Sequence, residues 1–269
     1  MTSENDIEVA LFAARAGVEA VRGGIDSNPR THLKGAVNPV TQIDVDAERA
    51  IRAAIGAKLP GDLILGEEGG GPDWQSARVW IVDPLDGTVN FIHGVPHVCV
   101  SVALWDDGRP LVGVIIDVER NDEYVASAGN GAHVNGRVMT VSETLSIDDS
   151  LIGTGFPYDR QQRANSYVTV VGDVLKSAMA VRAMGSAALD LAWVARGYLD
   201  AYWEYGGSHG LKPWDIAAGV LLVTEAGGQV TYEVDSRGRL GVGAFMATNS
   251  RVHDELSAIV ERAWHQSVG

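Results

Sequence analysis

Apolar positions along the chain follow two periods. Between residues 6 and 21 they fall at Ile7, Leu11, Ala14 and Val18, the spacing of a helix with one buried face. Residues 41–58 repeat that spacing with Ile43, Ala47, Ala50, Ile51, Ala54 and Ile55, and Leu59-Pro60-Gly61 ends it. Thr41 with Asp44 three residues on reads as an acidic capping box. The period then shortens, and residues 63–65, 79–82, 98–105, 112–117, 124–128 and 138–141 read as strands. In the second half the two periods alternate. Strands are predicted at 151–154, 181–184, 199–204 and 229–232, and helices at 161–177, 186–196, 214–226 and 253–264. The pattern predicts a helix pair plus antiparallel sheet over 1–145 and an α/β lobe over 146–269. No Pro/Ser-rich linker divides them near 142–150, so one domain of mixed α+β and α/β character spans 1–269.

Composition narrows the function. Hydrophobic residues are 46% and charged residues 21% of 269, which excludes a disordered chain. Lys plus Arg is 21 against 35 Asp plus Glu, a net charge of −14. So acidic a surface repels nucleic acid and anionic membranes, and neither is an expected partner. Bound cations would still admit an anionic substrate. The single cysteine, Cys99, lies in an apolar run and is expected to be buried and inert. Glu4, Asp6, Glu8 and Glu19 do not suit a targeting peptide, and no apolar run approaches the ~20 residues of a membrane span. A cytoplasmic setting is the expectation.

The most informative stretch is Asp83-Pro84-Leu85-Asp86-Gly87-Thr88. An apolar strand delivers two carboxylates into a turn, and Thr88 is expected to cap a short helix through Phe91. Carboxylates beside the free N–H groups of Gly87 and Thr88 form a place for a divalent cation next to an anion. Glu67 follows the strand at 63–65, and Asp215 stands at the start of the helix at 214–226. Four carboxylates at the ends of elements, with no His or Cys at ligand spacing, favour a hard cation, Mg²⁺ first. His93, His97 and His209 read as surface or satisfied histidines. Trp193, Tyr198, Tyr202, Trp203 and Tyr205 read as core and interface packing. A cysteine phosphatase would need Arg at position 105, which is Trp, and no GxxxxGK[ST] loop is present.

These residues resemble the inositol monophosphatase family. Asp83-Pro84-Leu85-Asp86-Gly87-Thr88 with Asn90 and Phe91 is similar to its first signature, and Trp214-Asp215-Ile216-Ala217-Ala218-Gly219 to its second. Gly66-Glu67-Glu68, Gly155-Phe156-Pro157 and the run from Gly185 to Leu191 extend the resemblance over about residues 6–262. It implies an αβαβα layered sandwich, a homodimer, and Mg²⁺-dependent, lithium-sensitive hydrolysis of phosphate monoesters such as myo-inositol 1-phosphate. Glu67, Asp83 and the carbonyl of Leu85 would hold a first ion. Asp83, Asp86 and Asp215 would hold a second, and a third would lean on Glu67, with Mn²⁺ a possible substitute. Thr88, backed by Asp44, would orient the attacking water, with Glu67 also in the catalytic set. Asp86, Gly87, Thr88, Gly185, Ser186, Ala187, Glu204 and Asp215 would contact substrate, and Lys34 would lie in a mobile loop. The alternatives are a histidinol-phosphate, fructose-bisphosphate or nucleotide 3′-phosphate phosphatase. A regulatory protein acting on RNA polymerase or ribosomal RNA complexes is another. One departure is the segment from Tyr205 to Trp214, which is Gly-rich and longer than the family's turn, and would sit at the pocket rim.

Overall fold

Two helices with complementary apolar stripes open the chain, α1 (Glu4–Gly24) and α2 (Gln42–Lys58). They cross closely at Gly17, where an added Cβ would stand 2.8 Å from the Ile51 side chain. A two-stranded antiparallel ribbon, β1 (Thr31–Leu33) and β2 (Pro39–Thr41), leads into α2. Thr41 caps α2 with the expected box: its Oγ1 accepts from Ile43 N–H, and the Asp44 carboxylate accepts from Thr41 N–H. The computed structural model describes residues 4–25, 31–33, 39–73, 78–205, 210–234 and 240–268.

The first sheet keeps chain order. It contains β3 (Leu63–Gly66), β4 (Val79–Asp86), β5 (Cys99–Asp106), β6 (Arg109–Asp117), β7 (Glu123–Ser127), β8 (Ala132–Val134) and β9 (Arg137–Met139). Only β3 and β4 are parallel; the other pairs are antiparallel. A short helix, α3 (Thr88–His93), joins β4 to β5. The second half comprises β10 (Leu151–Thr154), α4 (Arg160–Ser177), β11 (Ala180–Arg182), α5 (Ala187–Ala195), β12 (Ala201–Tyr205), α6 (Pro213–Glu225), β13 (Gln229–Val234), β14 (Leu240–Thr248) and α7 (His253–Val268). Its strands form a mixed sheet in the order β11-β10-β12-β14-β13, parallel across the first three and antiparallel beyond.

Strand alternation produces the layers. Trp80, Val82, Val100, Val102 and Val114 face α1 and α2. Ile81, Ala103, Trp105 and Ile115 face the opposite way, onto α5 and α6. Those two apolar helices are covered on their other side by Tyr202, Phe245 and Ala247 of the second sheet. The far face of that sheet, with Ile152, Trp203 and Met246, packs on α4 and α7. Helices, sheet, helices, sheet and helices therefore stack as an αβαβα sandwich, as the resemblance implies. No helix among the described residues is long and apolar enough to cross a membrane.

Several elements differ from the pattern reading. β4 runs through Pro84 to Asp86 instead of stopping at Val82. The reading had no strand at β8 or at β14, which fills the space between β12 and β13. Gly241 and Gly243 dilute the apolar alternation of β14, and glycine is poor in strands. Thr88 is the first helical residue of α3 and not its cap; Gly87 is the cap, in the left-handed region at φ 97°.

Candidate active site

Asp83 and Asp86 are three residues apart on one strand, which in regular pleating would send them to opposite faces. The ladder to β5 pairs Asp83 with Ser101 and Asp86 with Cys99, so Pro84 and Leu85 together oppose only Val100. This bulge adds one residue and resets the alternation, turning both acids the same way. Pro84 suits the place because it has no N–H to lose from the ladder.

Each acid is fixed by one carboxylate oxygen. Asp83 Oδ1 accepts from Leu85 N–H at 3.0 Å. Asp86 Oδ2 accepts from Ser186 Oγ and from Ala188 N–H, both at 2.7 Å, so an acid on β4 caps the N-terminus of α5 from across the sheet interface. Asp215, in the first turn of α6, accepts from Lys212 N–H at 2.5 Å through Oδ2. Oxygens of Asp83, Asp86 and Asp215 all lie within 4.8 Å of one another. None of the three pairs with a Lys or Arg among the described residues.

The electrostatics follow. Burial pushes the Asp83 carboxyl well above the usual carboxylate range, and the charges of Glu67, Asp86 and Asp215 push it further. Burial does the same to Asp215, aided by Asp86 and Glu67. Asp86 is raised by burial, against the pull of its bonds to Ser186 and Ala188. Glu67 thus acts on the same cluster as the three aspartates. The Tyr158 hydroxyl, raised by burial, also feels all four acids. Crowded hard oxygens of Asp83, Asp86 and Asp215 fit a divalent ion, whose charge offsets the repulsion.

Two supports lie on α2. Asp44, besides capping its own helix, accepts from Thr88 Oγ1 at 2.9 Å through Oδ1. Thr88 Oγ1 also lies 3.2 Å from the Leu85 carbonyl. Glu48 is buried beneath the Glu67 loop and accepts from Glu68 N–H at 2.7 Å, Gly69 N–H at 2.9 Å and Arg52 Nε at 2.7 Å. An added Cβ on Gly66 would stand 2.5 Å from the Glu48 carboxylate, so the loop carrying Glu67 lies flat on that acid.

Beside the carboxylates is a cavity of about 140 Å³, lined among others by Asp86, Gly155, Tyr158, Ser186, Glu204 and Asp215. Gly185 and Ala187 complete that wall. Asn90 of α3 ties the wall in place, its Nδ2 donating to Met184 O at 2.7 Å and to His97 O at 2.9 Å. Gly87 is packed beneath, where a Cβ would meet His97 O at 3.0 Å. Glu204, on β12, is buried, and burial pushes its carboxyl up to about 7.

Asp44, Glu67, Asp83, Leu85, Asp86, Gly87, Thr88, Gly185, Ser186, Ala187, Glu204 and Asp215 are therefore brought into one region. Ser186 occupies the N-cap position of α5 without a side-chain cap bond, because its hydroxyl points to Asp86. Lys34 and His209 lie outside the described residues, as do residues 206–209 of the Gly-rich segment. His93 is exposed, and His97 is buried with its Nε2 2.9 Å from Asp190 Oδ1. Cys99 is buried, as expected. The reading of the sequence gives no site role to Glu48, takes Tyr202 as core packing, and names Asn90 only within the first signature. Glu48 carried a signal: it stands four residues after Asp44, on the face otherwise taken by Ala47 and Ile51.

Comparison with known proteins agrees with this geometry. A sequence profile described as the inositol monophosphatase family matches residues 3–265. The Nus factor SuhB of Pseudomonas aeruginosa is 40% identical over 262 residues, covering 95% of each chain. An inositol-1-monophosphatase of Rhizobium meliloti is 38% identical over 256 residues, covering 94% of each. The solved structure of an inositol monophosphatase from Anabaena superposes with a TM-score of 0.82 at 36% identity, covering 95% of both chains. Profile, relatives and fold coincide over nearly the whole length, and the chain belongs to the inositol monophosphatase family.

Proposed function

We propose that the protein hydrolyses small phosphate monoesters with Mg²⁺, myo-inositol 1-phosphate first among them, using water as nucleophile and forming no covalent phosphoenzyme. The observation that carries this reading is the meeting of Asp83, Asp86 and Asp215 beside a cavity that also holds Ser186 and Glu204. Glu67, Asp83 and the Leu85 carbonyl would hold one ion, and Asp83, Asp86 and Asp215 a second, with Asp83 shared. A third would lean on Glu67, and Mn²⁺ would substitute. Bound there, divalent ions neutralise the phosphate's charge and make water a competent nucleophile near neutral pH. The chain's own groups do the rest. Thr88 Oγ1, with its proton directed to Asp44, offers lone pairs to the attacking water and fixes its orientation. The N–H groups of Gly87 and Thr88 are assigned to the phosphate oxygens. Gly185, Ser186 and Ala187 border the released alcohol, and Glu204 accepts one of its hydroxyls.

The test is phosphate release from a panel of myo-inositol 1-phosphate, histidinol phosphate, fructose 1,6-bisphosphate and adenosine 3′,5′-bisphosphate, with and without Mg²⁺. Turnover fastest on the inositol ester, and inhibited by Li⁺, supports the reading. No Mg²⁺-dependent turnover on any of them overturns it. A second reading is favoured by one observation, the name Nus factor carried by the Pseudomonas relative. In that reading the protein, as a homodimer, docks on a transcription complex through protein contacts, since the charge of −14 opposes direct contact with RNA. Binding of purified RNA polymerase elongation complexes by an Asp83→Asn variant separates the two, because docking survives that change and hydrolysis does not.

A further inference from the structure

Tyr202 and Glu204 stand two residues apart on β12, so both side chains leave the same face, and both line the cavity. Tyr202 Oη donates to Glu204 Oε2 at 2.5 Å, a charge-assisted bond inside the protein. The tyrosine has little freedom. It is buried, and its ring meets Phe245 edge-on at 6.4 Å, while Phe245 stacks on Tyr232. The third member is Gly155, at the end of β10. A Cβ there would stand 2.0 Å from Glu204 Oε2 and 2.7 Å from Tyr202 Oη. Gly155 does not have a positive φ. Glycine is therefore needed for the room the pair occupies and not for the backbone. Among the described residues Glu204 accepts no other hydrogen bond and has no cationic partner. One oxygen is thus fixed by the protein, and the other is left for a donor that a ligand brings.

We propose that Tyr202 is the positioning residue that aims Glu204 at a hydroxyl of the leaving alcohol, so that Tyr202, Glu204 and Gly155 together select polyol phosphates over phosphate esters that lack a hydroxyl at that distance. The proposal takes the ligand's class from the phosphatase reading above. Among the described residues the charged groups that act on Glu204 or feel it are Asp86 of β4, Asp190 of α5 and Asp215 of α6, all acids, with Tyr167 of α4 nearby. Burial raises the Glu204 carboxyl to about 7 with help from the charges of Asp86 and Asp190, and the Tyr202 bond pulls it down. Loss of that bond lets the carboxyl titrate higher and leaves it free to turn.

Two readouts test this in Tyr202→Phe, with Gly155→Ala as a second variant that crowds the pair without deleting the bond's donor. The first is a ¹³C NMR titration of glutamate-labelled full-length protein, the Glu204 signal assigned by its loss in Glu204→Gln. The expected result is a midpoint raised by about one pH unit in Tyr202→Phe. An unmoved midpoint overturns the proposal. The second is the ratio of kcat/KM on myo-inositol 1-phosphate to kcat/KM on 4-nitrophenyl phosphate. It is expected to fall about tenfold in both variants, the scale of one hydrogen bond to a charged group. An equal loss on both substrates, as from a general structural defect, overturns the proposal. A wild-type protein that hydrolyses neither ester defeats the phosphatase reading alone, and the titration still decides on Tyr202.

Discussion

Thr88 is where a small group has the clearest chemical task. Its hydroxyl lies between Asp44 and the Leu85 carbonyl, at 2.9 and 3.2 Å, so its position is set by two elements at once. Thr88→Val keeps the shape and removes the hydroxyl. It is expected to lower kcat by about 10²-fold or more, with Mg²⁺ affinity, read by calorimetry, little changed. Thr88→Ser should retain most of the rate. A valine variant with wild-type kcat would remove Thr88 from the mechanism. Asp44 shows why single residues are hard to read from sequence. A capping acid is a local feature, and that part was legible from Thr41 and Asp44 alone. The bond to Thr88 joins residues 44 apart and exists only once α2 has packed on the first sheet.

The end of β4 carries most of the site's precision. The Asp-Pro-Leu-Asp motif was legible, and so was the helix after it. The bulge was not, because it depends on where Ser101 and Cys99 fall on the neighbouring strand. Gly87 follows directly, at φ 97° with His97 O 3.0 Å from any Cβ. Gly87→Ala is expected to cost about 1–2 kcal/mol in chemical denaturation from the left-handed backbone alone. The α2 element makes a second prediction through Glu48. Glu48→Ala leaves the Glu68 and Gly69 N–H groups without their partner. It is expected to cost about 3 kcal/mol of stability and to weaken Mg²⁺ binding about tenfold by loosening the loop that holds Glu67. Wild-type Mg²⁺ affinity in this variant would show that the loop does not depend on Glu48. The strand β14 escaped the pattern for a different reason: two glycines hide a central strand whose neighbours β12 and β13 define it.

At the scale of the whole molecule, five layers bring acids from β4, α6 and the β3 loop to one place, and the metal-free protein bears the repulsion. Asp83, Asp86 and Asp215 are all raised above the usual value of 3.8. The folded form therefore holds their protons more tightly than the unfolded form does. Their contribution to stability is fullest below about pH 4 and is lost as pH rises through the folded-state values. Divalent ions bind the ionised acids and offset that loss. The rise in Tm on adding Mg²⁺ is thus expected to be larger near pH 8 than near pH 5. Equal rises would mean that the ion binds elsewhere. The acids, the layered fold and the family were legible because each rests on local motifs kept in order along the chain. The partners of Glu204 and of the loop after Glu67 were not, since Gly155, Tyr202 and Glu48 matter only through packing. The most direct measurement is phosphate release from myo-inositol 1-phosphate as Mg²⁺ is titrated into metal-free protein, for wild type and Asp83→Asn. Saturable Mg²⁺ dependence in the wild type, and a rate at least about 10²-fold lower in a folded Asp83→Asn at saturating Mg²⁺, is the predicted result. Hydrolysis without Mg²⁺, or a variant as fast as wild type, would contradict it.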